Sequence, residues 1–274
     1  MSDVQFTGMQ GYLSRFSQLR AKSEIENTPE KKKHALKPYF QAGLTSLGGE
    51  DGTQLGLNKF SGGVMYQNIN GKFVTLLNIN NLSTDYDMGG KLNDTTLDAA
   101  GAKKIKVSPN FSLTPSLQLS YRMLSANDSK GGYKYNTFDF GAGLTVDLFN
   151  TLDFSFIVDN ALGQKEEGTT IALPVNVKLN PKGKAPVELG AAVYWNSLRD
   201  FHGMLQASQQ AGAFTYGGGV DVASRLKELE LKPYAFASID VIGMSFKVEY
   251  TADVSKKISD NLKIEASYRI LLGK

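Results

Sequence analysis

Residues 138–148 alternate without a fault. Phe138, Phe140, Ala142, Leu144, Val146 and Leu148 take every second position, and Asp139, Gly141, Gly143, Thr145 and Asp147 fill the places between. A period of two marks an extended strand with one apolar and one polar face. After a turn expected at Asn150-Thr151 the alternation resumes, with Leu152, Phe154, Phe156 and Val158 set against Asp153, Ser155 and Asp159. The apolar face of 138–148 is roughly 33 Å long at about 3.3 Å per residue. Tilted by about 40°, it rises about 25 Å, the height of the apolar band that a membrane-spanning β-wall presents to lipid. Strands of soluble sandwiches usually run about 5–6 residues. Length therefore constrains this chain more than alternation does.

The same pattern repeats from Leu36 onward. Phe40, Ala42 and Leu44 form one apolar register, and Phe60, Gly62, Val64 and Tyr66 another. Asn70-Gly71 follows, a strong short hairpin signal, before the chain returns through 73–81. Ile105, Val107 and Phe111 alternate with Lys104, Lys106 and Asn110, and Thr114-Pro115 reads as a turn into Leu117, Leu119, Tyr121 and Met123. Ile171 to Leu179 and Val187 to Trp195 alternate around a turn at Asn180-Pro181-Lys182-Gly183, and the theme continues through 214–222, 231–241, 244–250 and 262–270. Hairpin after hairpin with no helix between describes an antiparallel meander. Segment 197–210 reads either as a helix or as a strand; as a strand it brings the expected total to about 14, within a range of 12–16. The connections at Asn70-Gly71, Thr114-Pro115, Asn150-Thr151 and Ile242-Gly243 should share one rim. The stretches 83–103, 127–132 and 163–168, read as longer loops, should share the other. Short turns on one rim and long loops on the other are typical of outer-membrane barrels.

The N-terminal segment, 1–34, differs. Met9, Tyr12, Leu13, Phe16 and Leu19 recur at helical spacing with Arg15, Arg20 and Lys22 opposite, and Asn27-Thr28-Pro29 ends the pattern. We expect a short helical segment in the lumen or at the rim, with a strand through Val4, Phe6 and Gly8 as the competing reading, followed by a barrel over 35–274.

Composition narrows the function classes. With 41% hydrophobic residues and a mean hydropathy of −0.24, the chain suits a wall whose lipid-facing and water-facing positions cancel. It has no cysteine, which removes disulfide frameworks and thiolate metal sites. Net charge +3 gives no case for nucleic acid, and Lys31-Lys32-Lys33-His34 reads as a solvated loop. No apolar run approaches the roughly 20 residues of a membrane helix, so a chain of this kind spans a bilayer only as a closed barrel. Only His34 and His202 exist, so a multi-histidine metal site is not expected. Asp200 and His202 could pair near a rim, but no nucleophile elbow accompanies them. Gly217-Gly218-Gly219 lies within a strand pattern rather than between strand and helix, so it is no phosphate loop. Neither an enzyme nor a cofactor or metal site is expected.

A two-sheet sandwich also alternates. Against it stand the apolar registers running the full length of several strands, and Gly63, Gly141, Gly143, Gly190, Gly217 and Gly219 on the opposite face. Glycine there is expected to leave room for water, an inserted segment or curvature. If the polar register lines a lumen, the lining residues are Lys104, Lys106, Arg122, Asp139, Asp147, Asp153, Asp159, Lys178, Glu188, Asp221, Lys232 and Asp240. Lys104, Lys106 and Arg122 would form a basic arc, and Asp139, Asp147, Asp153 and Asp159 an acidic one beside or across from it. The mixed charges of later strands suggest cross-strand ion pairs. On the apolar register Tyr121, Trp195, Tyr216, Tyr250 and Tyr268, several near expected strand ends, suit an interfacial aromatic girdle.

Over residues 36–272 the length, alternation, turn asymmetry and polar face together resemble the bacterial outer-membrane porins in architecture. The resemblance implies an all-β, antiparallel up-and-down transmembrane barrel. It also implies partners in the lipid bilayer and in small hydrophilic solutes, and an outer-membrane location in a bacterial envelope. The function it implies is a porin-like channel for passive diffusion. Other readings are a structural or adhesive barrel presenting 83–103 to a partner, and an organellar outer-membrane barrel. The start Met1-Ser2-Asp3 has no basic and apolar leader pattern, so a mature form behind an added Met is expected. The end at Tyr268-Arg269-Ile270-Leu271-Leu272-Gly273-Lys274 departs from the terminal aromatic common in bacterial barrels. The organellar pattern fits no better, because 262–272 contains no glycine.

Overall fold

The structure is a computed structural model. It describes residues 34–48, 54–68, 72–85, 91–128, 131–159, 161, 168–180, 185–197, 201–225, 228–241, 244–252, 261–268 and 270–272. The expected N-terminal helix and the turns at Asn70-Gly71 and Ile242-Gly243 lie outside these residues.

In chain order the strands are β1 (His34–Gly48), β2 (Gln54–Asn68), β3 (Phe73–Asp85), β4 (Lys91–Lys103), β5 (Ile105–Ser108), β6 (Phe111–Asp128), β7 (Gly131–Leu148) and β8 (Leu152–Asp159). They continue as β9 (Thr170–Leu179), β10 (Val187–Asn196), β11 (Phe201–Ala211), β12 (Phe214–Arg225), β13 (Glu228–Val241), β14 (Met244–Thr251), β15 (Asn261–Tyr268) and β16 (Ile270–Leu272). All ladders are antiparallel, and chain neighbours pair with one another except β4 with β5 and β15 with β16; β15 returns to β1 to close the ring. β4 and β5 both run along β6, and β15 and β16 both run along β1. The closed barrel therefore has 14 wall strands. Closure leaves no sheet edge around the circumference, so the backbone groups of the wall are satisfied within it.

Internal prolines explain the broken ladders. Proline has no N–H to donate, so a strand holding one loses a rung. Pro115 falls between the β4 and β5 ladders on β6. Pro38 falls between the β15 and β16 ladders on β1. Pro174 sits in the gap of the β8–β9 ladder, and Pro233 lies just past the end of the β13–β14 one. Thr114-Pro115 is thus mid-strand, not a turn. The turn is at Pro109-Asn110, before β6 begins.

Three further expectations are corrected. The stretch 83–103 is not an outer loop: β3 runs to Asp85 and β4 occupies Lys91–Lys103 as a wall strand. Its outward residues Thr95, Ala99 and Gly101 are too small or polar to betray it, and only Leu97 marks the register. Residues 127–132 are mostly strand, since β6 ends at Asp128 and β7 starts at Gly131. The connections of the rim expected to carry long loops still reach ten residues between β8 and β9 and nine between β14 and β15, against seven at most on the other. Of the segment 197–210, the part from Phe201 onward belongs to strand β11, Phe201–Ala211. The turn after β7 is centred one residue earlier than expected. Phe149 and Asn150 have φ of 57° and 54°, and Thr151 N donates to Leu148 O at 3.0 Å. Paired positive φ values are those of a type I′ hairpin turn, whose twist matches the strands it joins.

Burial is inverted relative to a soluble protein. Leu117 on the outer register is 57% exposed and Phe138 51%, whereas Asp221 on the inner register is 1% exposed. The inner face also carries two apolar clusters. One joins Tyr39, Met65, Val74, Leu76, Ala100 and Ala102, and the other Ile157, Ala172, Ala192, Tyr194, Met204, Tyr234 and Phe236.

Candidate functional site: the inner face of the barrel

The registers place Tyr39, Gly63, Asn78, Asp98, Ser120 and Asp139 in one row across β1, β2, β3, β4, β6 and β7. Their alternation with outward apolar residues turns all of them inward. Hydrogen bonds run along the row. Tyr39 Oη donates to Asn78 Oδ1 at 2.6 Å, and Ser61 Oγ donates to the same oxygen at 3.3 Å. Asp98 is the hub, accepting from Asn78 Nδ2 at 3.3 Å, Asn80 Nδ2 at 2.9 Å and Ser120 Oγ at 2.7 Å. Gln118 Nε2 donates to Ser120 Oγ at 2.9 Å and extends the network along β6. Sequence reasoning missed Asp98, because it lay in the stretch taken for a loop.

The inner glycines do not simply leave space. A Cβ at Gly63 would lie 2.7 Å from Tyr39 Oη, and one at Gly219 would lie 2.6 Å from Tyr234 Oη. A Cβ at Gly217 would lie 2.8 Å from Phe236 Cζ. Each ring belongs to the residue directly opposite its glycine, so it lies flat across the wall. Gly141 plays the same part for a carboxylate, since its Cβ would lie 3.1 Å from Asp159 Oδ1. These glycines let large side chains fold against the wall instead of reaching into the centre.

The expected arcs do not form as drawn. Lys104 sits at the rim where β1 begins, at the β4–β5 break, with Nζ 2.8 Å from Asp147 Oδ2. Arg122 lies towards the opposite rim, where Nε donates to Asp94 Oδ1 at 2.8 Å and Nη2 also holds Asp94. The two cations are thus separated along the wall, and each is tied to a carboxylate. Lys106 is on the inner register but exposed at the first rim, as is Asp240. Asp139, Asp147, Asp153 and Asp159 are all buried on the inner face. Asp139 accepts from Phe140 N at 2.6 Å, and Asp153 accepts from Asn176 Nδ2 at 3.1 Å. Asp147 and Asp153 stand directly opposite each other, as do Lys178 and Glu188, and Asp221 and Lys232.

His202 faces inward on β11, with its ring 6.0 Å from that of Tyr194 and Nδ1 3.7 Å from Asp221 Oδ1. Its acidic neighbour is therefore Asp221; Asp200 lies outside the described residues. Lys247 Nζ lies 2.9 Å from Glu249 Oε2 and 4.5 Å from the centre of the Phe236 ring. Among the described residues no group of histidines and carboxylates is arranged to hold a metal ion.

On the outer register Trp195 and Tyr250 lie near one rim, and Tyr216 and Tyr268 near the other. Tyr121 departs from this pattern: opposite Leu97 and Phe138, it is mid-strand rather than at an end.

No protein-family model matches the chain, and no curated protein matches it. Solved structures do. A monoaromatic hydrocarbon channel, the ΔS2S3 mutant of TodX, aligns with a TM-score of 0.62 at 9% identity over 97% of this chain and 95% of that one. The translocator domain of the autotransporter NalP from Neisseria meningitidis aligns at 0.55, with 9% identity over 96% of each chain. The outer membrane protein Omp33 of Acinetobacter baumannii aligns at 0.52, with 8% identity over 86% of this chain and 98% of its own. The chain shares the closed antiparallel β-barrel fold of these outer-membrane proteins.

Proposed function

We propose that this chain spans the outer membrane of a bacterial envelope and serves as a channel for passive diffusion of small hydrophilic solutes. The observation that carries the reading is the inversion of polarity across one wall. The outer register exposes Leu117, Phe138, Phe156 and Leu173, while the inner register holds a hydrogen-bonded polar lining centred on Asp98. An apolar exterior at membrane height is stable only in lipid. A polar interior lowers the cost of moving a hydrated solute through it. Passage follows the concentration gradient and involves no turnover chemistry, cofactor or metal. The flat packing of Tyr39, Tyr234 and Phe236 over glycines supports the reading by keeping those rings close to the wall.

A second reading is favoured by the burial of the inner face, where Asp221 is 1% and Glu249 3% exposed. On that reading the barrel is closed and structural. Planar-bilayer recording of detergent-folded protein separates the two. Discrete conductance steps are expected; their absence from folded, heat-modifiable protein would favour the closed barrel.

A further inference from the structure

We infer that the inner face of β4, β6, β7 and β8 is a cation-recognising wall, so that the pore passes cations in preference to anions. The inference rests on the channel reading.

These four strands carry Asp94, Asp98, Asp139, Asp147, Asp153 and Asp159 on the inner register. Among the described inner residues of the same arc, with β5 and the β4–β5 break, the cations are Lys104, Lys106 and Arg122. Carboxylates thus exceed cations on this arc, although the whole chain carries a net charge of +3. The opposite arc alternates its signs, as in Asp221 opposite Lys232 and Lys247 beside Glu249. Fixed charge inside a low-dielectric wall raises the local concentration of counter-ions. A wall strongly negative on one arc and of mixed sign on the other leaves a net field that draws in cations.

An independent feature marks where a cation would rest. Gln118, 3% exposed, spends its Nε2 on Ser120, and its buried Oε1 accepts no hydrogen bond. Thr137, 5% exposed, has a buried Oγ1 with no hydrogen-bond partner. Both belong to the patch that holds Asp98, Asp139 and Asp159. Ser120 joins Gln118 to Asp98, Thr137 precedes Asp139 on the same face of β7, and Gly141 opens the wall for the Asp159 carboxylate. A buried acceptor oxygen without a donor is costly, and a cationic group supplies what it lacks. No metal-ligating geometry is present among the described residues. The class expected is therefore monovalent cations and solutes bearing an ammonium group, attracted by several oxygens rather than chelated.

The test is the reversal potential of single channels in planar bilayers under a KCl gradient. The wild-type channel should favour K+ over Cl− by about tenfold, the lower end of the enrichment of counter-ions that a charge-lined cleft gives. Asp139→Asn with Asp159→Asn should cut that ratio by about half while conductance steps persist. Thr137→Lys, which adds a cation to the same patch, should lower it as well. A wild-type channel with no preference, or one that prefers Cl−, overturns the inference and leaves the channel reading standing. Unchanged selectivity in folded, conducting variants also overturns it. Absence of steps from folded wild-type protein removes the channel and the inference together.

Discussion

Gly63 and Gly219 show what single residues do in this wall. Each is paired directly with a tyrosine, and each lacks the Cβ that would displace the tyrosine ring. At Gly63 an added methyl would also collide with the Leu77 carbonyl, which is backbone and has nowhere to go. Gly63→Ala is expected to destabilise the folded barrel by about 1–3 kcal/mol, the usual cost of overpacking. The urea midpoint of detergent-folded protein measures it; an unchanged midpoint would mean that the ring does not lie across the glycine. The polar-face glycines were visible in the sequence, but their purpose was not. It depends on which residue stands opposite, and that is a matter of register. Asp98 was hidden for a related reason: its hydrogen-bond partners come from β3 and β6, and nothing local to β4 announces them.

The strands were legible in proportion to the contrast between their faces. In β7, β8, β9 and β10 large apolar residues alternate with polar or small ones, and the structure gives them the registers that the sequence implied. β4 was lost because its outward face is small and its inward face acidic. β3 was only partly understood, since Val74 and Leu76 make its inner face apolar as well. Pro115 misled because proline reads locally as a turn, whereas here it occupies a missing rung of the ladder. Depth along a strand offers a direct test of lipid exposure. Val175 lies at the centre of β9 and Leu179 at its rim end, and both face outward. Val175→Arg should cost about 2–4 kcal/mol and Leu179→Arg about 0–1 kcal/mol, following the depth dependence of cations on a lipid-facing barrel wall. Unfolding free energies in lipid vesicles decide this. Equal costs at the two depths would count against a bilayer around β9.

At the scale of the whole molecule, the absence of cysteine makes the two faces separately addressable. Gln206 and Leu205 are adjacent on β11, one on the inner register and one 61% exposed on the outer. In protein reconstituted into vesicles, Gln206→Cys should react with a water-soluble thiol reagent and Leu205→Cys should be protected. The reverse order would place the lumen on the wrong face. The sequence by itself determined most of the extended, two-faced strands and their antiparallel succession, because a period of two and its interruptions are local properties of the chain. Only the tertiary structure decided which charges meet, since ring closure and register bring together residues far apart in sequence. It separated Lys104 from Arg122, tied them to Asp147 and Asp94, and put Asp98 at the centre of the lining. Charges interact across strands, and which strand positions face one another is settled only when the wall is assembled.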